Sequence, residues 1–239
     1  MQCLDMKFYG SAMLFPHIQG AFRKELVVSS NQCVLANGLN SSQAAMIEPL
    51  AVVLHALKQA GAVHGKNILV TGAGPIGLLT ILVAKSAGAL NIVVTDISDQ
   101  PLIVAKNLGA TETINVTDNG QEFEKFEKNK GYFDFMFECS GSEMALLGVI
   151  GSIKPRATIV QLGMSGNMTV PMQFITTKEI ILKGSFRFHE EFKLGVEFLM
   201  AGDLDVMPLL SHSIPFNDAV QAFELANDRM KALKVHLVF

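Results

Sequence analysis

The sequence predicts an α/β fold built on a doubly wound, six-stranded parallel sheet, and three observations lead to this prediction. From about residue 67 onward, short apolar runs rich in Val, Ile and Phe alternate with longer stretches of helical period. Runs such as 68–70 and 92–94 are apolar without interruption, which is typical of strands buried on both faces. A glycine-rich segment, 72–77, ends the first run and opens the first helical stretch. Alternation of this kind indicates a parallel sheet with helices on both sides.

The predicted elements follow one another in regular order through the middle of the chain. The six strands are predicted at residues 67–71, 91–95, 112–115, 133–138, 158–162 and 180–183. Helices are predicted between the first five strands, at 75–87, 100–108, 120–128 and 143–153. The last gap, 163–179, has a more irregular pattern.

The segments on either side of the sheet region differ from it in character. Residues 1–40 have no helical period and contain one strand-like run, 24–28. A helix is predicted over 49–59, with Pro49 in the first position, where a missing N–H group costs nothing. After Gly184, helices are predicted near 190–200 and 217–227, and a closing strand at 234–239.

Composition narrows the classes of protein that the chain can belong to. Hydrophobic residues make up 49% of it and charged residues 17%, so a large core can form and disorder is not expected. The net charge of −3, without any Lys/Arg cluster, argues against nucleic acid as a partner. The longest apolar region, 68–94, is broken by several glycines, Pro75 and Lys85, so no membrane-spanning helix is expected.

Cysteine usage indicates a reducing compartment. Cys3, Cys33 and Cys139 are too few and too far apart for a disulfide framework, and reduced thiols are the simplest interpretation. No basic run followed by an apolar stretch opens the chain, so a signal peptide is not expected. We therefore expect a cytoplasmic location.

The segment Gly72-Ala73-Gly74-Pro75-Ile76-Gly77 fits the pattern G-x-G-x-x-G. Alone this pattern is weak, but here it follows a predicted strand and opens a predicted helix, which is the context that dinucleotide binding requires. Gly72 permits the tight turn, Gly74 lets the backbone approach a pyrophosphate, and Gly77 lets helix and strand pack closely. The helix N-terminus then faces the phosphate charge. These residues, with Pro75 and Ile76, are the predicted phosphate-binding part of a Rossmann site.

Asp96 lies at the end of the second predicted strand. A carboxylate there can bind both ribose hydroxyls of NAD and would repel the 2′-phosphate of NADP. No arginine follows in residues 97–101, which further disfavours NADP. The alternative interpretation is an aspartate that only caps the next helix. The sequence therefore predicts NAD as the cofactor.

Small residues follow the fourth and fifth predicted strands. Because the carboxyl ends of the strands line the cofactor crevice of a doubly wound sheet, residues there can leave room for the nicotinamide ring. Small residues are also common wherever a strand passes into a loop, and this explains them equally well on physical grounds. The residues assigned to this part of the site are Cys139, Ser140, Leu162 and Gly163.

The residues 45–52, His55-Ala56 and 70–77 resemble the zinc-dependent medium-chain dehydrogenases, and within them the sorbitol dehydrogenase branch. The resemblance extends to essentially the whole chain, because it also includes the segments 2–13, 15–17 and 184–188. It implies that the Rossmann sheet is flanked by remnants of a GroES-like catalytic domain. On this division 1–45 is an N-terminal remnant, 46–188 the NAD-binding domain, and 189–239 the segment that returns to the catalytic domain.

The resemblance also implies zinc as a cofactor. Glu48 matches the Glu of the family's Glu-Pro motif, a direct or nearby ligand of the catalytic zinc, and Cys3 matches the last of four cysteines at a structural zinc. The other structural cysteines, the catalytic Cys and the Gly-His-Glu ligand motif are absent. We therefore expect the chain to begin inside the catalytic domain, with incomplete zinc sites. From the residues alone, Glu48 is also explained by a helix start, where a carboxylate is favoured by unpaired N–H groups and the helix dipole.

Two further residues are assigned with the help of the resemblance. His55 lies two turns beyond Glu48 on one helix, about 10 Å away at ~1.5 Å per residue, so we expect a packing or cofactor-side residue and not a ligand. Arg187 matches an arginine at the family's substrate cleft, where a guanidinium can bind a sugar hydroxyl or the carboxylate of an aldonate. A solvated or structural arginine is the alternative. Phe186, its neighbour, is assigned to the cofactor side.

The implied reaction is hydride transfer from a secondary alcohol of a sugar acid or polyol to NAD+, assisted by zinc. Oxidation of L-idonate to 5-ketogluconate is the reaction that the resemblance favours most, in a homo-oligomer that pairs the edge of the sixth strand. Because the zinc sites are incomplete, we expect this chain alone to be inactive. Two alternatives stay open. One is a zinc-free reductase of quinones or enones, against which Glu48-Pro49 and Cys3 count, and the other is a non-catalytic NAD-binding fragment.

Overall fold

The centre of the molecule is a six-stranded sheet in which every neighbouring pair of strands is parallel. The computed structural model describes residues 4–11, 14–164 and 166–239. The strands are β1 (Asn67–Thr71), β2 (Asn91–Asp96), β3 (Glu112–Asn115), β4 (Phe133–Glu138), β5 (Ile153–Gln161) and β6 (Ile181–Gly184). Their order in the sheet is β3-β2-β1-β4-β5-β6, with the reversal between β1 and β4 that defines a doubly wound fold. The predicted fold class is confirmed.

The two faces of the sheet are both covered, which explains the uninterrupted apolar runs. In β1, Ile68 and Val70 belong to one core cluster and Leu69 to the other, and all three are fully buried. Successive side chains of a strand point to opposite faces, so a strand between two cores is apolar at every position.

Helices connect the strands on these two faces. They are α2 (Pro75–Ser86), α3 (Asp99–Asn107), α4 (Glu143–Val149) and α5 (Met172–Thr177). The helix predicted over 120–128 is instead a pair of 3₁₀ segments, Gly120–Phe126 and Lys128–Lys130. Phe123 and Phe126, three residues apart, are its buried side chains, and this spacing suits a helix of three residues per turn. The helix predicted to continue to residue 153 ends at Val149, and a 3₁₀ turn leads into β5, which begins earlier than expected.

The helix before the sheet, α1 (Ser41–Ala60), corrects one prediction. The predicted start, Pro49, in fact lies inside the helix. The true start is a capping box, in which Asn40 Oδ1 accepts a hydrogen bond from Gln43 N–H (2.8 Å) and Gln43 Oε1 accepts one from Asn40 N–H (3.0 Å). Pro49 removes one internal hydrogen bond. The buried face of α1, which includes Leu50 and Leu54, packs in the main core and outweighs that loss.

After the sheet the chain forms helices α6 (Glu191–Ala201) and α7 (Ala219–Asn227) and strands β7 (Leu210–Pro215) and β8 (Lys234–Val238). The two strands pair in parallel as a separate small sheet. The sequence does not predict β7, because its Ser and His residues are exposed and give no apolar run. The prediction of a strand-like run at 24–28 is wrong, since the structure has no strand there and Val27 is fully exposed. Within the described ranges no helix is both long and apolar enough to cross a membrane.

Candidate functional site

The glycine-rich loop connects β1 to α2 at the carboxyl edge of the sheet. Gly72 has φ of 87°, and a Cβ atom there would lie 2.9 Å from the Cα of Ser140. At Gly77 a Cβ atom would overlap the carbonyl oxygen of Gly72. At Gly74, by contrast, no atom lies within 4 Å of the place a Cβ would take. Gly72 and Gly77 are therefore required by the fold, whereas Gly74 faces open space that a ligand can approach.

The N-terminus of α2 lies directly after the glycine-rich loop. Gly74 is the N-cap residue and Pro75 is the first helical residue. Because the N–H group at this position has no partner within a helix, its absence in proline costs no hydrogen bond. No side chain caps the helix, so its free N–H groups and dipole are directed at the open space beside Gly74. Ile76, the second helical residue, is half-buried against the core. The loop thus has the shape and polarity that fit a dinucleotide pyrophosphate.

Asp96 ends β2, and its carboxylate is held against the loop. Oδ2 accepts a hydrogen bond from Ala73 N–H (2.6 Å), and Oδ1 accepts one from Ser98 N–H (3.0 Å). Ser98 is the N-cap residue of α3, so this hydrogen bond holds the residue before the helix, and Asp96 accepts none from the N–H groups of the helix itself. The carboxylate therefore lies against the glycine-rich loop at the carboxyl end of β2.

Cys139 and Ser140 extend from the end of β4, and Leu162 and Gly163 from the end of β5. Cys139 donates its N–H to the carbonyl of Thr71 (2.9 Å), and burial raises the pKa of its thiol to about 12. The thiol therefore stays protonated near neutral pH, which excludes a role as thiolate nucleophile. At Gly163, a Cβ atom would overlap the N–H of Gly141, so this glycine lets the two strand ends approach.

Glu138, the last residue of β4, is a member of the site that sequence reasoning missed. It is fully buried and accepts hydrogen bonds from both neighbouring strand ends. The sequence contained a signal for it, because a glutamate that closes an otherwise apolar strand must be paired or hydrogen-bonded if the strand is buried. Only the folded chain brings its partners together.

Arg187 and Glu48 lie at the same edge of the sheet. Arg187 follows β6 with φ of 60°, and its Nη1 lies 4.0 Å from Glu48 Oε1. Its guanidinium carbon is 3.8 Å from the centre of the Phe8 ring, and Phe8 also meets Phe186 edge to face at 6.3 Å. The structure thus brings together two predicted site residues that are far apart in sequence. Phe8, whose ring lies beside the guanidinium, is a neighbour of Arg187 that the sequence did not predict.

His55 is a buried residue between α1 and α6. It is buried, its Nδ1 donates to Glu191 Oε1 (3.1 Å), and its Nε2 accepts from Gln59 Nε2 (3.1 Å). Burial acts to raise the pKa of Glu191, but hydrogen bonds from His189 N–H and the His55 ring lower it to about 2. The pair ties α1 to α6, in agreement with the packing role expected for His55.

The residues that the structure describes do not form a zinc site. Nowhere in 4–11, 14–164 and 166–239 do three or more His, Cys, Asp or Glu side chains converge as metal ligands. Cys3, the predicted remnant of a structural zinc site, lies outside these residues. Glu48 has Arg187 as its charged neighbour. The role of Glu48 as a zinc ligand therefore stays a prediction.

Comparison with known proteins agrees with this geometry. The family model described as "Zinc-binding dehydrogenase" matches residues 75–201, more than half of the chain. The chain belongs to this family. It is 41% identical over 240 residues to L-idonate 5-dehydrogenase (NAD(P)(+)) of Escherichia coli K12, covering 100% of this chain and 69% of the relative. The predicted resemblance is confirmed.

Two further comparisons define the branch of the zinc-binding dehydrogenase family. Sorbitol dehydrogenase of Arabidopsis thaliana is 34% identical over 242 residues, which are 98% of this chain and 65% of that protein. The crystal structure of L-idonate 5-dehydrogenase from Escherichia coli K-12 superimposes with a TM-score of 0.96 at 40% identity, covering 100% of this chain and 69% of that one. The chain thus spans about two thirds of the length of these relatives. The predicted class, dehydrogenases of polyols and sugar acids, is the class of these named proteins.

Proposed function

We propose that this chain is the cofactor-binding part of an NAD-dependent dehydrogenase that oxidises a secondary alcohol of a sugar acid or polyol. The observation that carries the proposal is that the glycine-rich loop, Asp96 and the Arg187–Glu48 pair occupy one edge of the sheet. Ligands of doubly wound proteins bind at this edge. L-idonate, the substrate in the name of two relatives, is the substrate that we propose.

NAD is the proposed cofactor in preference to NADP. The carboxylate of Asp96, held by Ala73 N–H and Ser98 N–H, would repel a 2′-phosphate and accept hydrogen bonds from ribose hydroxyls. The name of the Escherichia coli relative includes both cofactors, so the preference itself is a point for measurement. When bound, the cofactor supplies the hydride acceptor, and the loop and Asp96 orient it.

Recognition of the substrate is assigned to Arg187. Its guanidinium is only partly exposed, and the central carbon of the group lies 3.8 Å from the centre of the Phe8 ring. Planar guanidinium groups bind carboxylates with two parallel hydrogen bonds, and this selects an aldonate over a neutral polyol. The acceptor Glu48 opposite can bind a sugar hydroxyl.

A second candidate function is dinucleotide binding without turnover. It is favoured by one observation, that the described residues contain no cluster of metal ligands. The alternative of a quinone or enone reductase receives no support from the relatives, which are polyol and sugar-acid dehydrogenases.

We also infer that the chain associates with a second copy through the edge of β6. This strand has no partner on its outer side among the described residues, and its Ile181 and Leu182 are nearly half exposed. Such an edge is a template for strand pairing. Sedimentation of the protein should give a dimer or larger, and Leu182→Lys should give the monomer.

Calorimetric titration tests the main proposal. NAD+ should bind, and L-idonate should then bind to the protein–NAD+ complex more tightly than sorbitol does. Absence of NAD+ binding would contradict both candidate functions. Equal binding of L-idonate and sorbitol would contradict the assignment of Arg187 to a carboxylate.

A further inference from the structure

The carboxylate of Glu138 lies beneath the point where three strands end. It is fully buried, and donors from β1, β4 and β5 surround it. Oε1 accepts from Thr71 Oγ1 (3.3 Å) and from Ser140 N–H (2.9 Å) and Oγ, while Oε2 accepts from Gly141 N–H (3.0 Å). Gln161 Nε2 donates to Oε2 at 2.6 Å. Each of the three strand ends therefore contributes to one carboxylate.

These partners indicate the charged form of Glu138. Two are backbone N–H groups and one is a side-chain amide, all of which only donate here. The Ser140 hydroxyl already accepts from Ser142 N–H (3.0 Å), so its own hydrogen is free for Glu138. A carboxylate is acceptor-only and satisfies such a set of donors fully, whereas a protonated carboxyl has one acceptor site fewer to offer them.

Glu138 has no ion-pair partner in the part of the chain that the structure describes. Within the described ranges no Lys, Arg or His nitrogen lies within 4.0 Å of either oxygen of Glu138. Its hydrogen-bond partners are uncharged groups, so they leave the net negative charge in place. Buried charges are weakly screened, so the field of this one extends into the adjacent crevice.

The position of the charge relates it to the cofactor. Glu138 is hydrogen-bonded to Thr71, which precedes the glycine-rich loop, and a Cβ atom at Gly163 would lie 2.5 Å from its Oε2. Both neighbours belong to the crevice at the carboxyl edge, where doubly wound sheets hold dinucleotides. The nicotinamide ring carries a positive charge in NAD+ and none in NADH.

We propose that Glu138 biases the site toward the oxidised cofactor, because its unneutralised charge attracts the cationic ring of NAD+ and not the neutral ring of NADH. Glu138 is thus a positioning residue with an electrostatic effect on cofactor selection. The proposal rests on dinucleotide binding at this edge. A site that favours NAD+ relative to NADH suits the oxidation of alcohols, since it takes up the oxidant and releases the reduced product.

Calorimetric titrations with NAD+, NADH and ADP-ribose test the proposal. In Glu138→Gln the ratio of the NAD+ affinity to the NADH affinity should fall by about fivefold. ADP-ribose has no nicotinamide and should bind as before. The matched control is Glu112→Gln, which removes a carboxylate at the amino end of β3, the opposite edge of the sheet, and should leave the ratio unchanged.

A second variant keeps the test decisive if Glu138→Gln does not fold. Thr71→Val removes one donor from Glu138, leaves the charge less compensated, and should raise the same ratio by about twofold. The proposal is overturned if Thr71→Val leaves the ratio of NAD+ to NADH affinity unchanged. It is also overturned if a folded Glu138→Gln binds all three ligands more weakly by the same factor, and Glu138 would then only stabilise the strand ends. If the unmodified chain binds none of the three ligands, the proposed dinucleotide site itself is wrong.

Discussion

Arg187 Nη1 lies 4.0 Å from Glu48 Oε1, so the end of β6 and the middle of α1 meet at one ion pair. About a third of the Arg187 side chain and half of the Glu48 side chain are exposed. A pair this open contributes little to stability, since water screens it. Both groups thus remain available to a substrate, and the Phe8 ring lies against the guanidinium.

The first prediction concerns this arginine. Arg187→Leu should raise the dissociation constant of L-idonate from the protein–NAD+ complex at least about tenfold, the cost of one charge-assisted hydrogen-bonded contact, and raise that of sorbitol much less. Both dissociation constants are measured by calorimetry on this chain, with and without the substitution. Arg156→Leu is the control, because Arg156 pairs with Glu179 at the amino end of the sheet. Equal effects on acid and polyol would indicate a structural arginine.

The second prediction concerns cofactor choice. Asp96→Ala should narrow the preference for NAD+ over NADP+ by roughly tenfold or more, because the carboxylate that repels the 2′-phosphate is gone. Asp99→Ala, three residues further along the chain at the start of α3, provides the control and should leave the preference unchanged. The preference is read from the two dissociation constants. If the unmodified chain binds both cofactors equally, the role of Asp96 in cofactor choice is refuted.

The third prediction separates two glycines of one loop. Gly74→Ala should leave the melting temperature nearly unchanged, since its Cβ would meet no protein atom, but should weaken NAD+ binding by obstructing the pyrophosphate. Gly77→Ala should destabilise the fold by several kcal/mol, because its Cβ would overlap the Gly72 carbonyl. Thermal melts and NAD+ titrations of both variants decide the matter. Loss of stability in Gly74→Ala with binding intact would reverse the assignment.

Much of the fold was predictable because it depends on local pattern. A strand between two cores must be apolar throughout, as β1 is, and a glycine-rich loop placed between a strand and a helix is typical of dinucleotide binding. The predicted start of α1 was wrong because Pro49 was taken as a helix signal. The capping box at Asn40 was the stronger signal, and burial of the helix compensates for a proline inside it.

The site was only partly predictable, because its geometry depends on contacts between distant residues. The glycine loop and Asp96 lie within 25 residues of each other along the chain and follow a known spacing. Phe8 and Arg187 meet only in the folded protein, as do Glu138 and its donor Gln161. No sequence period marks such pairs, so the structure is needed to find them.

The fourth prediction concerns stability in acid. The pKa of Glu191 falls from 4.5 to about 2 on folding, so its hydrogen bonds to His55 and His189 N–H stabilise the protein above pH 4.5, and this stabilisation is lost as the pH falls toward 2. Glu191→Gln should lower the free energy of unfolding at pH 7 by roughly 3 kcal/mol, and the difference should shrink toward pH 2. Urea denaturation at several pH values measures both. Glu190→Gln, an exposed neighbour, should change little, and a difference independent of pH would contradict the linkage.

The last prediction is that the 239-residue chain binds zinc weakly and has no appreciable dehydrogenase turnover. Catalytic zinc sites use three protein ligands and keep one position open, whereas the described residues contain no convergent set of three. Glu48 alone, with Arg187 as its neighbour, cannot hold the ion tightly, because a single carboxylate is a poor zinc site and the guanidinium repels a cation.

Metal analysis after dialysis should therefore find far less than one zinc per chain, and NADH formation from L-idonate and NAD+ should stay at background when zinc is added. The Escherichia coli relative, assayed in parallel, is the positive control for the substrate and the assay. NAD+ binding should persist in the same preparation, because the loop, Asp96 and all six strands of the main sheet are present. One tightly bound zinc with turnover near that of the relative would contradict this prediction, and the ligands would then have to include Cys3, outside the described residues.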